Sequence, residues 1–173
     1  MTETIFVIGG CRSGKSSHAL ALAEQLPGEK RFIATCIPYD EEMKERVANH
    51  QKGRDTHWVT TEAPVDLPGA IQKHATASGV VLADCLTLWI SNLIMQDLSG
   101  DEIVQAIDRL VASVQDAPGA VILVSNEVGT GIVPENKMAR RFRDYAGLAN
   151  QKVAAAVNRV VWMVAGIPVG IKG

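Results

Sequence analysis

Eight consecutive residues, Gly9-Gly10-Cys11-Arg12-Ser13-Gly14-Lys15-Ser16, fit the spacing G-x-x-x-x-G-K-[ST]. Glycines so placed let successive backbone N–H groups converge on phosphate oxygens without Cβ interference. The chemistry implied is the binding of a nucleoside triphosphate, with Lys15 reaching the β- and γ-phosphates and the Ser16 hydroxyl on Mg2+. The pattern follows the apolar run Thr4–Ile8 and opens a helical segment in which Ala19, Leu22 and Ala23 can face a sheet. The positive end of that helix dipole would add to the cradle. Asp84, directly after Val80-Val81-Leu82-Ala83, stands where a P-loop enzyme keeps the carboxylate that holds Mg2+ directly or through water. The plainer reading of Asp84 is a solvated strand-end residue or helix cap.

A second constellation is the charged run Glu41 to Arg54. Met43, Val47 and His50 are spaced four and then three apart, which puts them on one face of a helix. Arg46 and Arg54 flank His50, with Lys52 nearby. Such a cluster would attract a triphosphate and disfavour the imidazolium, leaving a neutral nitrogen nucleophile. Attack on an α-phosphorus would expel pyrophosphate and leave a nucleotidyl-phosphoramidate. A histidine on a helix face is more often structural, and His18, His57 and His74 read that way. Glu62 reads as an ordinary loop acid.

Such groups need a scaffold that brings distant segments to one edge. Thr4–Ile8, Arg31–Thr35, Val80–Ala83, Val121–Val124 and Val160–Val164 read as strands, with His57–Thr61 a weaker one. Their nearly continuous apolar character suits strands covered on both faces, as in a parallel sheet. Helices are expected over Lys15–Gln25, Glu41–Gln51, Val65–Ala75, Leu86–Gln96, Glu102–Val114 and Asn136–Asn158, the last interrupted near Gly147. Turns are expected at Leu26-Pro27-Gly28, Pro68-Gly69 and Ala117-Pro118-Gly119. The alternation predicts a doubly wound α/β fold, a mostly parallel sheet flanked by helices with right-handed crossovers. A loop with Glu127 and two glycines, Asn126–Asn136, follows Val121–Val124, where open α/β sheets bind ligands.

At 173 residues the chain is read as one domain, 1–173. Its 47% hydrophobic and 21% charged content is that of a globular protein, and a formal charge of −2 gives no footprint for nucleic acid. Cys11, Cys36 and Cys85 form no CxxC pair and read as free thiols in a reducing compartment. The first residues suit neither a signal peptide nor an anchor, and the apolar stretch Val80–Ile90 is too short to span a bilayer. A cytoplasmic location is expected.

Taken together these segments resemble the bifunctional adenosylcobinamide kinase/adenosylcobinamide-phosphate guanylyltransferase family of cobalamin biosynthesis. The resemblance runs through Gly9–Ser16, Phe32–Thr35, Arg46–Arg54, Asp84-Cys85-Leu86-Thr87, Asn126–Asn136, Arg141-Phe142-Arg143-Asp144 and Ala165-Gly166-Ile167-Pro168. It implies a P-loop NTPase of RecA-like architecture with Mg2+, and GTP and ATP as substrates. It implies GMP carried on His50, and nucleotide contacts from Gly9–Ser16, Ala34, Thr35, Cys36, Gln51, Lys52, Gly53, Arg54, Glu62 and Asp84. It also implies a homotrimer that binds the corrinoid between subunits. Cys11 stands where a smaller residue such as alanine is expected, and Asp84 where some relatives carry glutamate. Both substitutions leave the required functional groups in place. Rival readings are a P-loop small-molecule kinase without a covalent step, a GTPase switch, and a DNA-dependent ATPase. The switch lacks N-K-x-D, since Asn136-Lys137-Met138-Ala139 fails at its last position, and the acidic balance disfavours DNA.

Overall fold

A computed structural model describes residues 2–38, 41 and 57–173. The strands are β1 (Thr4–Gly9), β2 (Lys30–Ala34), β3 (Trp58–Glu62), β4 (Val80–Asp84), β5 (Ala120–Asn126), β6 (Arg159–Val164) and β7 (Ile167–Lys172). The helices are α1 (Lys15–Gln25), α2 (Leu67–His74), α3 (Leu86–Met95), α4 (Gly100–Gln115) and α5 (Lys137–Ala156). They flank a seven-stranded sheet of order β3-β2-β4-β5-β1-β6-β7. Every neighbouring pair is parallel except β6–β7.

The apolar strands are continuous because each feeds two cores. Phe6, Ile33, Val81, Ala83, Val121 and Leu123 face a cluster completed by buried residues of α2, α3, α4 and α5. Ile5, Val7, Phe32, Val80, Leu82, Ile122 and Val124 face the opposite cluster, with Ala19, Leu22 and Ala23 of α1. Successive side chains of a strand point to opposite faces, so both sets of positions in these runs are mostly apolar.

The helix ends follow local chemistry. Ser99 and Glu102 form a capping box that starts α4. Asn136 accepts from Met138 N–H and Ala139 N–H, which starts α5. Two expectations need correction. Pro68-Gly69 is not a turn but lies in the first turn of α2, where proline's missing N–H costs nothing and Asp66 accepts from Gly69 N–H. Helix α5 runs unbroken through Gly147. A single mid-helix glycine costs only about 1 kcal/mol relative to alanine, which buried Ala146, Ala149, Asn150 and Val153 outweigh.

Strand β7 was not foreseen. Ala165 (φ +50°) and Gly166 (φ +84°) form a two-residue connection between Val164 and Ile167, which face each other across β6–β7. Positive φ at both positions matches the twist of a hairpin. The expected helix over Glu41–Gln51, and His50 with it, falls on residues that lie, apart from Glu41, outside the described residues.

Candidate active site

Because β1 to β6 run parallel, their C-terminal ends meet on one edge of the sheet. Residues 10–14 turn the chain there between β1 and α1. Two glycines in this turn are required by geometry. A Cβ on Gly9 would fall 2.6 Å from Ser13 Oγ and 2.7 Å from the Met163 carbonyl oxygen, while Gly14 adopts φ +89°. Arg12 also adopts a positive φ, +53°, a conformation that costs an L-residue about 1–2 kcal/mol.

The loop is fixed from within and from behind. Ser13 N–H donates to Gly10 O at 3.3 Å, His18 N–H to Gly14 O at 2.9 Å, and Gly166 N–H to Ser13 O at 3.0 Å. The last bond comes from the β6–β7 turn. Lys15 is buried, and its Nζ donates to Gly10 O at 3.1 Å. Gly14 supplies no side-chain cap to α1, so the first-turn N–H groups are available to an anion. Ser13 Oγ is buried without a partner among the described residues.

The register assembles the other candidate residues. Gly9 lies opposite Asn126, and Asp84 opposite Val124, so β5 alone separates the loop from Asp84. Two strand spacings put the β1 and β4 backbones about 10 Å apart. Ser16 and Asp84 are both half-buried. A hydroxyl and a carboxylate at the same sheet edge suit Mg2+, which takes one or two protein oxygens and fills its shell with phosphate and water. No cluster of three metal-ligating side chains occurs among the described residues, and a phosphate-bound Mg2+ does not need one. Ala34 lies opposite both Asp84 and Glu62, which puts Ala34, Thr35, Cys36 and exposed Glu62 on the same edge but farther from the loop. Gln51, Lys52, Gly53, Arg54 and His50 lie outside the described residues.

A buried polar network that sequence reasoning missed runs beneath this edge. Thr35 Oγ1 donates to Cys85 O at 2.8 Å and accepts from Cys85 N–H at 2.9 Å. Asn92 Nδ2 donates to Thr35 O and Pro64 O, and Asn126 Nδ2 donates to Thr87 Oγ1 at 2.8 Å. Asn150 Nδ2 donates to Asn126 O at 3.2 Å. The only local signal was a set of amides in otherwise apolar segments.

The loop after β5 is tied to the phosphate loop by Glu127 N–H donating to Gly9 O at 3.0 Å. Arg140 donates to Pro134 O and Arg143 to Gly129 O, so the Arg141-Phe142-Arg143-Asp144 region braces that loop from α5. Between them opens a cleft of about 420 Å³ lined by Gly129, Val133, Arg140, Arg143, Asp144 and Gly147.

The other titratable groups read as packing. Burial, then Arg159, lowers the pKa of His18. Burial, then Arg31 and Lys73, lowers that of His74. His57 Nε2 sits 3.2 Å from Glu24 Oε2, beside Trp58 Nε1 on Glu24 Oε1. Cys11 is exposed, whereas burial and then the Asp84 charge push the Cys85 thiol up to about 11. Thiolate is the reactive form. In the native protein at neutral pH, iodoacetamide should therefore modify Cys11 and spare Cys85 until unfolding. Peptide mass mapping checks this; early label on Cys85 would contradict its burial.

Residues 5–171 match the profile of the family described as cobinamide kinase / cobinamide phosphate guanyltransferase. The bifunctional adenosylcobalamin biosynthesis protein CobP of Pseudomonas aeruginosa is 40% identical over 171 residues, covering 96% of both chains. The bifunctional adenosylcobalamin biosynthesis protein CobU of Escherichia coli is 42% identical over 181 residues, covering 97% of this chain and 99% of its own. CobU of Salmonella typhimurium matches at the same identity and coverage. Among solved structures, an ATPase from a type III secretion system aligns with a TM-score of 0.58 at 11% identity, over 97% of this chain and 56% of that one. The RadB recombinase aligns with a TM-score of 0.51 at 13% identity, over 92% and 73%. These two likenesses show the fold, that of P-loop NTPases. Among the described residues no helix is long and apolar enough to cross a membrane.

Proposed function

Because the chain belongs to the cobinamide kinase / cobinamide phosphate guanyltransferase family, we propose that it phosphorylates adenosylcobinamide and then transfers GMP to the product. In the first reaction the hydroxyl oxygen of the aminopropanol arm attacks the γ-phosphorus of ATP or GTP. The bond to the β–γ bridging oxygen breaks, the nucleoside diphosphate leaves, and the hydroxyl proton passes to solvent. In the second, a neutral His50 nitrogen attacks the α-phosphorus of GTP and pyrophosphate leaves. An oxygen of adenosylcobinamide phosphate then displaces the imidazole, breaking the P–N bond and giving adenosylcobinamide-GDP.

The observation that carries this reading is the placement of the phosphate loop and Asp84 on either side of β5 at one sheet edge. Lys15, Arg12 and the first-turn N–H groups of α1 neutralise charge on the phosphate oxygens. Ser16 and Asp84 would hold Mg2+, which would supply further positive charge at those oxygens. Ala34, Thr35, Cys36 and Glu62 take the nucleoside end, together with Gln51, Lys52, Gly53 and Arg54. The corrinoid arm enters beside the cleft after β5, where the Arg140 and Arg143 guanidinium groups favour a phosphate-bearing acceptor. The reaction takes place in the cytoplasm.

Intact-protein mass after incubation with GTP and Mg2+ tests the covalent step. One added GMP is expected, and an unmodified mass under turnover would exclude it. The same nucleotide should shield Cys11 from iodoacetamide.

The proposed homotrimer has a surface to use. Trp162 and Val164 of β6 lie opposite Val169 and Ile167 of β7, so all four share one face, and all are exposed, Ile167 to 65%. Exposed Ile171 continues the row. A bare apolar face on an edge ribbon is what self-association covers. Val164→Asp should convert a sedimenting trimer into smaller species with little change in fold. A trimer that persists would remove this ribbon from the interface.

A further inference from the structure

Helix α3 is apolar along most of its length, yet it buries Asn92, which is 4% exposed. An amide in such surroundings is unfavourable unless its hydrogen bonds are met. Asn92 Nδ2 meets them on two separate loops, donating to Thr35 O at 2.7 Å and to Pro64 O at 2.9 Å. Thr35 directly follows β2, and Pro64 lies just beyond the end of β3, both at the C-terminal edge of the sheet.

Other bonds locate what this amide does. Ala63 N–H donates to Ala34 O at 2.8 Å, joining the two loops. Thr35 is tied to β4 through its own hydroxyl, which both donates to Cys85 O and accepts from Cys85 N–H. Trp89, one turn earlier in α3, donates from Nε1 to Val65 O at 2.7 Å and so holds only the β3 side. Asn92 spans both. The phosphate loop does not depend on it, since Ser13, Gly14 and Lys15 are fixed through Gly10, His18 and Gly166.

We propose that Asn92 is a positioning residue that sets the nucleoside-facing turns, Ala34 to Cys36 and Glu62, in register with the phosphate loop. It rests on the assignment of those turns to the nucleotide made above. Asn92 touches no reacting atom. It acts through the Thr35 and Pro64 carbonyls, so it governs the part of the binding energy that comes from the nucleoside and leaves the part that comes from the phosphates.

The test compares two probes in the presence of Mg2+: GTP, and inorganic tripolyphosphate, which carries the phosphates without the nucleoside. In Asn92→Ala the affinity for GTP should fall by about tenfold or more, while that for tripolyphosphate stays within about twofold of wild type. Asn92→Asp serves as a second variant, nearly identical in shape. An ionised carboxylate there would face two carbonyl oxygens with no N–H to offer, whereas the protonated acid recovers one donor. Its GTP affinity relative to wild type should therefore improve as the pH falls. Equal weakening of both probes would mean a general loosening of the domain and overturn the proposal, as would an unchanged GTP affinity. If the wild-type protein itself binds GTP no better than tripolyphosphate, the fault lies instead in assigning Ala34 to Cys36 and Glu62 to the nucleoside.

Discussion

Lys15→Ala should abolish both activities in practice, lowering each by about two to four orders of magnitude. The figure follows from the two charge-assisted contacts expected between the ammonium and the β- and γ-phosphates, each worth about 1.5–3 kcal/mol, with 1.4 kcal/mol per tenfold. The fold should survive the change. Among the described residues Lys15 Nζ donates to Gly10 O alone, and that carbonyl also accepts from Ser13 N–H, so it keeps a partner in the variant. Steady-state rates of γ-phosphoryl transfer and of GMP incorporation, with a thermal melt alongside, decide the matter. A kinase rate equal to wild type would show that the γ-phosphate is not where the loop should hold it.

His50→Ala should separate the two reactions. Loss of the imidazole removes the atom that would carry GMP, so protein labelling from α-labelled GTP should fall to background. In the proposed mechanism, phosphorylation of the corrinoid relies on Lys15, Ser16 and Asp84 and should persist within about threefold, since no transition-state contact to the γ-phosphate would be lost. Equal labelling of wild type and variant would move the nucleophile to another residue. Equal loss of both activities would make His50 a binding group shared by the two reactions. Because His50 lies outside the described residues, this expectation rests on nucleophile chemistry and family membership.

What was legible in the sequence and what was not divides along physical lines. Strands β1, β4 and β5 stood out because both faces are buried, which forces an unbroken apolar run. The phosphate loop stood out because Gly9 and Gly14 answer steric demands that few other residues meet. Once the strands are parallel, the gathering of Asp84 and Ala34 at the same edge follows from topology. Strand β7 was hidden because Pro168 and Gly170 both weaken a strand, and proline is tolerated there only on an edge. Its signal was available in the Ala165-Gly166 pair between Val164 and Ile167. Asn92 was hidden for a different reason. A buried amide in an apolar helix announces that it has partners, but the carbonyls it holds lie 57 and 28 positions away, and only the fold brings them near.

In the proposed trimer, the hairpin at the end of the sheet would link subunit contact to the phosphate loop. One short ribbon both leaves Trp162, Val164, Ile167 and Val169 exposed and lends the Gly166 amide to Ser13. A single peptide thus joins that exposed ribbon to the backbone of the phosphate loop. In the proposed trimer, a substitution on that ribbon should therefore be read for nucleotide affinity as well as for oligomeric state.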